Sequence, residues 1–121
     1  MNEWRWGPTG TGKSRSVRDE FGHSLCNKPI TKWWDNYKGE ETVLLDDFGD
    51  CHKCLGYHLK IWADRYTITG EVKGGHMNIR PKRIIVTSNF HPRDIWKNDD
   101  DKNNLEPILR RFKIVHYDKP F

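Results

Sequence analysis

Eight consecutive residues constrain this chain more than any others. Gly7-Pro8-Thr9-Gly10-Thr11-Gly12-Lys13-Ser14 satisfies G-x-x-x-x-G-K-[ST] at every defined position. Glycines at these points let the backbone curl until successive N–H groups face inward toward phosphate oxygens. Lys13 is spaced to reach the β- and γ-phosphates of a nucleotide, and the Ser14 hydroxyl to ligate Mg²⁺. The flanks suit the motif. Glu3-Trp4-Arg5-Trp6 reads as a strand running into the loop, and residues 14–21 read as a helix with Val17 and Phe21 on one face. The start of that helix adds its positive dipole end to the anion site.

Two further apolar runs predict buried strands. Val43-Leu44-Leu45 leads into Asp46-Asp47, and Ile84-Ile85-Val86-Thr87-Ser88 leads into Asn89. Continuous apolar runs of this length fit strands covered on both faces of a parallel sheet. Such sheets bind nucleotides at the C-terminal ends of their strands. Asp46 is therefore expected to hold Mg²⁺ through water, and Asp47 to orient and deprotonate an attacking water. Asn89 is expected to sense the γ-phosphate, since its amide both donates and accepts. Arg111 follows a short helix and precedes the last strand. It is a candidate arginine finger for a neighbouring subunit's site, with Arg110 as the alternative.

The remaining pattern predicts a short strand over 25–30, an aromatic loop over 32–39 and a helix over 54–64. Strands over 66–72 and 77–79 flank a glycine hairpin tip, Lys73-Gly74-Gly75-His76. A solvated loop is expected over 99–104, then a helix over 105–111 with Pro107 in its first turn, and a final strand over 112–117. The alternation gives an α/β fold, a mainly parallel central sheet flanked by helices.

With 121 residues the chain suits one domain. Six tryptophans imply buried anchors or stacking surfaces, and the net charge of +4 leans toward a polyanionic partner. No apolar run approaches the length of a membrane span or a signal peptide. Three cysteines cannot be fully paired, and free thiols fit a reducing compartment. Cys51-His52-Lys53-Cys54 has zinc half-site spacing, and His23 with Cys26 could supply a second half. Nothing fixes a tetrahedral geometry, so the ordinary reading is preferred.

The order of motifs resembles a superfamily 3 helicase, an AAA+-like ATPase. The nearest likeness is to the replication-associated proteins of circoviruses and related small circular single-stranded DNA viruses. The phosphate loop, Leu44-Leu45-Asp46-Asp47, Glu71-Val72-Lys73-Gly74-Gly75 and Val86-Thr87-Ser88-Asn89 carry the resemblance. Lys32-Trp33-Trp34-Asp35, Gly39-Glu40-Glu41, Asp64-Arg65-Tyr66 and Arg110-Arg111 add to it. It implies ATP and Mg²⁺ as cofactors, a hexameric ring of identical subunits, single-stranded viral DNA as partner and the host nucleus as location. It also implies a hairpin lysine, here Lys73, on the DNA backbone. His76 stands beside the tip, but Gly74 and Gly75 separate it from Lys73, whereas related helicases place histidine directly after the lysine. Residues 1–121 then form one ATPase domain, and the endonuclease and helical oligomerisation segments of the family are expected to lie outside it. Tyr57-His58-Leu59-Lys60 matches the nicking signature Y-x-x-K but has no His-hydrophobe-His partner, so it is not read as a nicking site. An RNA-directed helicase, or a nucleotide- or DNA-binding module without turnover, are the competing readings.

Overall fold

A computed structural model of the protein describes residues 2–64 and 68–118. In chain order the elements are β1 (Asn2–Trp6), α1 (Lys13–Phe21), β2 (Leu25–Asn27), β3 (Thr42–Phe48), α2 (Gly56–Trp62), β4 (Ile68–Val72), β5 (Gly75–Ile79), β6 (Arg83–Ser88), α3 (Pro92–Ile95), α4 (Lys102–Arg111) and β7 (Phe112–His116). Short 3₁₀ turns occupy Gly22–Ser24, Asp50–Leu55 and Asp99–Asp101. Five strands pair in the order β2-β3-β6-β1-β7, every pairing parallel, while β4 and β5 form a separate antiparallel hairpin. This is the α/β architecture expected from the alternating pattern.

Burial on both faces explains the apolar runs. Val43, Leu45, Ile84 and Val86 join Trp4 in the larger core, under α2, α3 and α4. The intervening Leu44 and Ile85 meet Val17 of α1 on the opposite face. Trp4 sits at the centre of the larger core, edge-on to Phe48, Trp96 and Phe112 at centroid distances of 5.3, 5.7 and 6.3 Å. Its indole N–H donates to the Phe90 carbonyl at 2.9 Å, so the ring is buried without an orphaned donor. Trp34, Trp62 and Trp96 are buried as well, so four of the six tryptophans are core anchors.

Several boundaries differ from the sequence expectation, each for a local reason. The second strand ends at Asn27, because after one more hydrogen bond from the Lys28 N–H, Pro29 has no N–H to continue the ladder and the chain turns away. The helix expected over 54–64 is a 3₁₀ turn followed by α2, which ends at Trp62. β5 begins at Gly75, leaving Lys73-Gly74 as a two-residue turn and pairing His76 with Glu71. Residues 66 and 67 of the expected hairpin strand lie outside the described residues, as do Arg65 and Tyr66 of the family-like triplet. α4 starts at Lys102, within the segment expected to be a loop, so Pro107 falls in its interior. Proline there has no N–H for the carbonyl four residues earlier, that of Asn103. Lys60 of α2 supplies the missing donor, its Nζ lying 3.0 Å from that carbonyl.

One buried charge is unusual. Lys28 is 2% exposed, and its ammonium donates to the carbonyls of Pro29, at 3.0 Å, and Thr31. It also lies 5.1 Å from the Trp34 ring and 4.6 Å from the Trp62 ring. Burial pushes its pKa down to about 8 from 10.5. Between those values the unfolded chain binds more protons than the folded one, so the stability that Lys28 contributes rises with pH across that window. The melting temperature of the parent protein is accordingly expected to rise relative to Lys28→Met between pH 7.5 and pH 10, as followed by circular dichroism. A constant difference would contradict the buried-cation assignment.

Candidate functional site

The loop from Gly7 to Gly12 joins the end of β1 to α1 and lies at the C-terminal edge of the sheet. Gly7, Gly10 and Gly12 all take positive φ, and two of them show why the loop needs glycine. Gly7 has φ +152°, its N–H donates to the Ser88 carbonyl at 3.0 Å, and a Cβ there would lie 1.9 Å from the Tyr117 carbonyl oxygen. Gly12 caps α1 in the left-handed region, at φ 79°. Lys13 is 8% exposed and folds back over the loop. Its ammonium donates to the carbonyls of Gly7 at 2.7 Å and Pro8 at 2.8 Å, and reaches Asn89 Oδ1 at 3.5 Å. Burial lowers its pKa, opposed by the nearby charges of Asp47 and Asp46. Thr11 closes the turn by donating its hydroxyl to the Pro8 carbonyl at 2.9 Å.

The acidic half of the site is built by an irregularity in β3. Leu45 pairs with Val86 and Phe48 with Ser88, so three steps along β3 match two along β6. This extra residue is a bulge. Regular alternation would send Asp46 and Asp47 to opposite faces. Here Asp47 takes φ 65°, and both residues line one cleft while Phe48 returns to the core. A non-glycine residue held in that region costs about 1–2 kcal/mol locally.

Asp46 is the hub. Ser14 donates its hydroxyl to Asp46 Oδ1, and Thr87 donates to the same oxygen at 2.7 Å. Arg18 of α1 lies 3.3 Å from Oδ2. Burial works to raise the Asp46 pKa, but the Ser14 and Thr87 hydrogen bonds and Arg18 outweigh it and hold the carboxyl below its ordinary value. The Thr87 hydroxyl also accepts the Asp47 backbone N–H at 2.9 Å, bracing the bulge. The resulting cleft, of about 350 Å³, is lined by Thr9, Gly10, Gly12, Lys13, Ser14, Arg15, Asp46, Asp47, Thr87 and Asn89. One hydroxyl and one carboxylate oxygen in direct contact, beside a buried ammonium and a turn of loop amides, form a donor set suited to Mg²⁺ with a polyphosphate.

The structure thus brings together Lys13 and Ser14 of α1, Asp46 and Asp47 of β3, and Asn89 at the end of β6, three parts of the chain distant in sequence. Thr87 and Arg18 were not singled out in the sequence. For Thr87 the available signal was a hydroxyl within an otherwise apolar run. Arg111 is not part of this cleft. It ends α4 at the opposite edge of the sheet, where β7 begins alongside Asn2. There it donates to the Lys60 carbonyl and lies 3.7 Å from Asp64. Lys73 and His76 are exposed on the hairpin, and the Lys73 backbone N–H donates to Asp35 Oδ1 at 3.2 Å. Tyr57 is exposed on α2 under Lys60. Cys51 and Cys54 are exposed and Cys26 is buried.

A five-stranded parallel sheet with a phosphate loop after its first strand, and a hydroxyl-bound carboxylate at the end of a neighbouring strand, defines a phosphate-loop α/β domain. Comparison with known proteins narrows this class. The chain belongs to the RNA helicase family, whose model matches residues 3–90. It is similar to the replication-associated protein of Beak and feather disease virus, with 41% identity over 111 residues, 91% of this chain and 36% of that protein. The replication-associated protein of Porcine circovirus 1 is 34% identical over 119 residues, 92% of this chain and 35% of that protein. The chain therefore spans about a third of the length of these relatives. Among solved structures, the apo C-terminal region of NrS-1 superposes with a TM-score of 0.61 at 17% identity, over 98% of this chain and 29% of that one. At that identity the likeness concerns the fold alone. No helix among the described residues is long and apolar enough to cross a membrane.

Two substitutions test the geometry. Gly7→Ala should destabilise the protein by about 2 kcal/mol or more in denaturant unfolding, because its Cβ would overlap the Tyr117 carbonyl. Thr87→Val should cost about 1–3 kcal/mol, since it orphans the Asp47 N–H and removes a donor from Asp46. A lowered carboxyl stabilises the fold above its unfolded pKa and loses that contribution as pH falls through the folded one. Thr87→Val should therefore raise the Asp46 pKa in a carboxyl-carbon NMR titration and shrink the loss of stability in acid.

Proposed function

We propose that this chain is the ATP-hydrolysing motor of a viral replication-associated protein, a superfamily 3 helicase domain that moves on single-stranded DNA during replication of a circular genome. The observation that carries the proposal is the convergence of Lys13, Ser14, Asp46, Asp47 and Asn89 on one cleft, on a chain whose relatives are replication-associated proteins. The family resemblance extends the proposal to an assembly of identical subunits, a hexameric ring, acting in the host nucleus.

In this reading the loop amides and Lys13 hold the β- and γ-phosphates. The carbonyls of Gly7 and Pro8 that now occupy the Lys13 ammonium are exchanged for phosphate oxygens, which gives a charged partner for a buried charge. Ser14 and Asp46 would hold Mg²⁺, which when bound neutralises charge developing on the phosphate oxygens. Asp47, turned into the cleft by the bulge, accepts a proton from the attacking water. Asn89, already within reach of Lys13, positions that water against the terminal phosphate. No covalent intermediate is needed, because positioning and electrostatics supply the rate. Arg111, at the far edge of the sheet, would act on a neighbouring subunit's nucleotide. Lys73, with His76 beside it, would grip the phosphate backbone independently of sequence.

Nucleotide binding and steady-state hydrolysis, with and without oligo-dT, test the proposal. Lys13→Ala should abolish nucleotide binding. Asp47→Asn should keep it but lower turnover by roughly 10²–10⁴-fold, the usual worth of a general base. Lys73→Ala should weaken oligo-dT binding and lower the dependence of log affinity on log salt by about one. A parent chain that binds no nucleotide would overturn the motor reading. The matched family carries the name RNA helicase, which supports RNA as the second reading. Competition of oligo-dT against oligo-U decides between them.

A further inference from the structure

The hairpin packs Ile79 into the core and meets α2 through Glu71 and His58, and a further segment, the one that follows β2, seats it and is organised around Lys28. The Lys28 backbone N–H donates to the Leu44 carbonyl at 3.0 Å, so the residue prolongs the pairing of β2 with β3, the strand that carries Asp46 and Asp47. Its side chain runs the other way, into the box formed by the Pro29 and Thr31 carbonyls and the rings of Trp34 and Trp62. Trp34 is the seat of the hairpin. Its backbone N–H donates to the Glu71 carbonyl at 2.9 Å, Trp33 forms a bridge to Glu71, and a Cβ on Gly70 would lie 2.8 Å from the Trp34 ring. Asp35, the next residue, accepts the Lys73 N–H at the tip.

A buried ammonium with no carboxylate partner among the described residues is an expensive way to close a turn. An apolar side chain of the same length would fill the space without a desolvation penalty. The positive end gives direction: it is attracted at once to two carbonyls of the turn and to the faces of two tryptophans, one on the hairpin segment and one on α2. The turn, the seat and the helix are therefore held in one arrangement relative to β3.

We propose that Lys28 is a positioning residue for the hairpin, its buried ammonium latching the Pro29–Thr31 turn, Trp34 and Trp62 together so that Lys73 is held in a fixed relation to the strand carrying Asp46. The inference rests on the proposed role of Lys73 and deepens it: Lys28 touches neither nucleotide nor DNA and acts through the hairpin.

A double-mutant cycle in the full chain tests this, with oligo-dT affinity read by fluorescence anisotropy and nucleotide affinity read separately. Lys28→Met should weaken oligo-dT binding by about tenfold while leaving nucleotide affinity within about twofold. Lys28→Arg, which restores the charge, should recover part of the loss. In the Lys73→Ala background, Lys28→Met should weaken oligo-dT by less than about twofold, because the residue it positions is gone. Full additivity of the two substitutions, or equal losses for nucleotide and oligo-dT, would overturn the latch while leaving the role of Lys73 intact. Unchanged oligo-dT binding in Lys73→Ala, or none in the parent chain, would remove both. Should Lys28→Met melt below the assay temperature, Lys28→Gln carries the same cycle, since it keeps one donor for the carbonyls and no charge.

Discussion

A strand delivers successive side chains to opposite faces, and the bulge in β3 suspends that rule where the cleft needs two neighbouring carboxylates on one side. The Thr87 hydroxyl holds the exception in place. It donates to Asp46 and accepts from the Asp47 backbone, so one buried group on β6 fixes both the carboxylate and the strained residue beside it. Ser14 then ties the same carboxylate to the start of α1. Three elements from different parts of the chain thus meet at Asp46. The rest of the domain gives this meeting point a rigid frame, with Trp4 and its aromatic neighbours behind one face of the sheet and Val17 behind the other.

Two lysines away from the cleft supply donors to backbone carbonyls where the regular hydrogen-bond pattern breaks. Pro107 deprives the Asn103 carbonyl of its helical partner, and Lys60 reaches across from α2 to supply one. The turn after Lys28 leaves the sheet ladder, and Lys28 answers two of its carbonyls with its own side chain. In each case a cation stands in for a backbone donor at a place where the chain changes direction. Part of the net charge of +4 therefore serves folding, which weakens any inference from composition alone to a polyanionic partner.

How much of this was legible in the sequence follows from how local each cause is. The phosphate loop is legible because its backbone conformation dictates its residue types: Gly7 and Gly12 occupy conformations or contacts that a Cβ would disturb. The strands carrying Val43-Leu44-Leu45 and Ile84-Ile85-Val86 are legible because burial on both faces leaves a continuous apolar run. The bulge is not legible, since it depends on the register of β3 against β6. Thr87, Arg18 and Lys28 owe their roles to partners distant in the chain or to a turn that only tertiary packing closes. The interior position of Pro107 is not legible for the same reason. A local reading places a proline at a helix start, and only the compensating lysine on α2 allows it elsewhere.

The separation of the candidate residues along the sheet bears on how such a domain could complete its chemistry. Gly7 follows the C-terminal end of β1, and Arg111 precedes the start of β7, which pairs with β1 in register from Asn2↔Phe112 to Trp6↔His116. Five residues of strand therefore lie between the two levels, roughly 16 Å at about 3.3 Å per residue. The strands that separate them carry the buried core, so bending Arg111 toward the subunit's own cleft would require breaking it. The Lys60 carbonyl and Asp64 further hold the guanidinium at the far edge. A second copy that set its Arg111 edge against this cleft would leave its own cleft open to a third. Such a contact would be head-to-tail, and a head-to-tail contact closes into a ring when its rotation permits. Under the proposed function, a ring of copies in head-to-tail contact is the assembly in which an arginine on this edge would meet a neighbour's cleft.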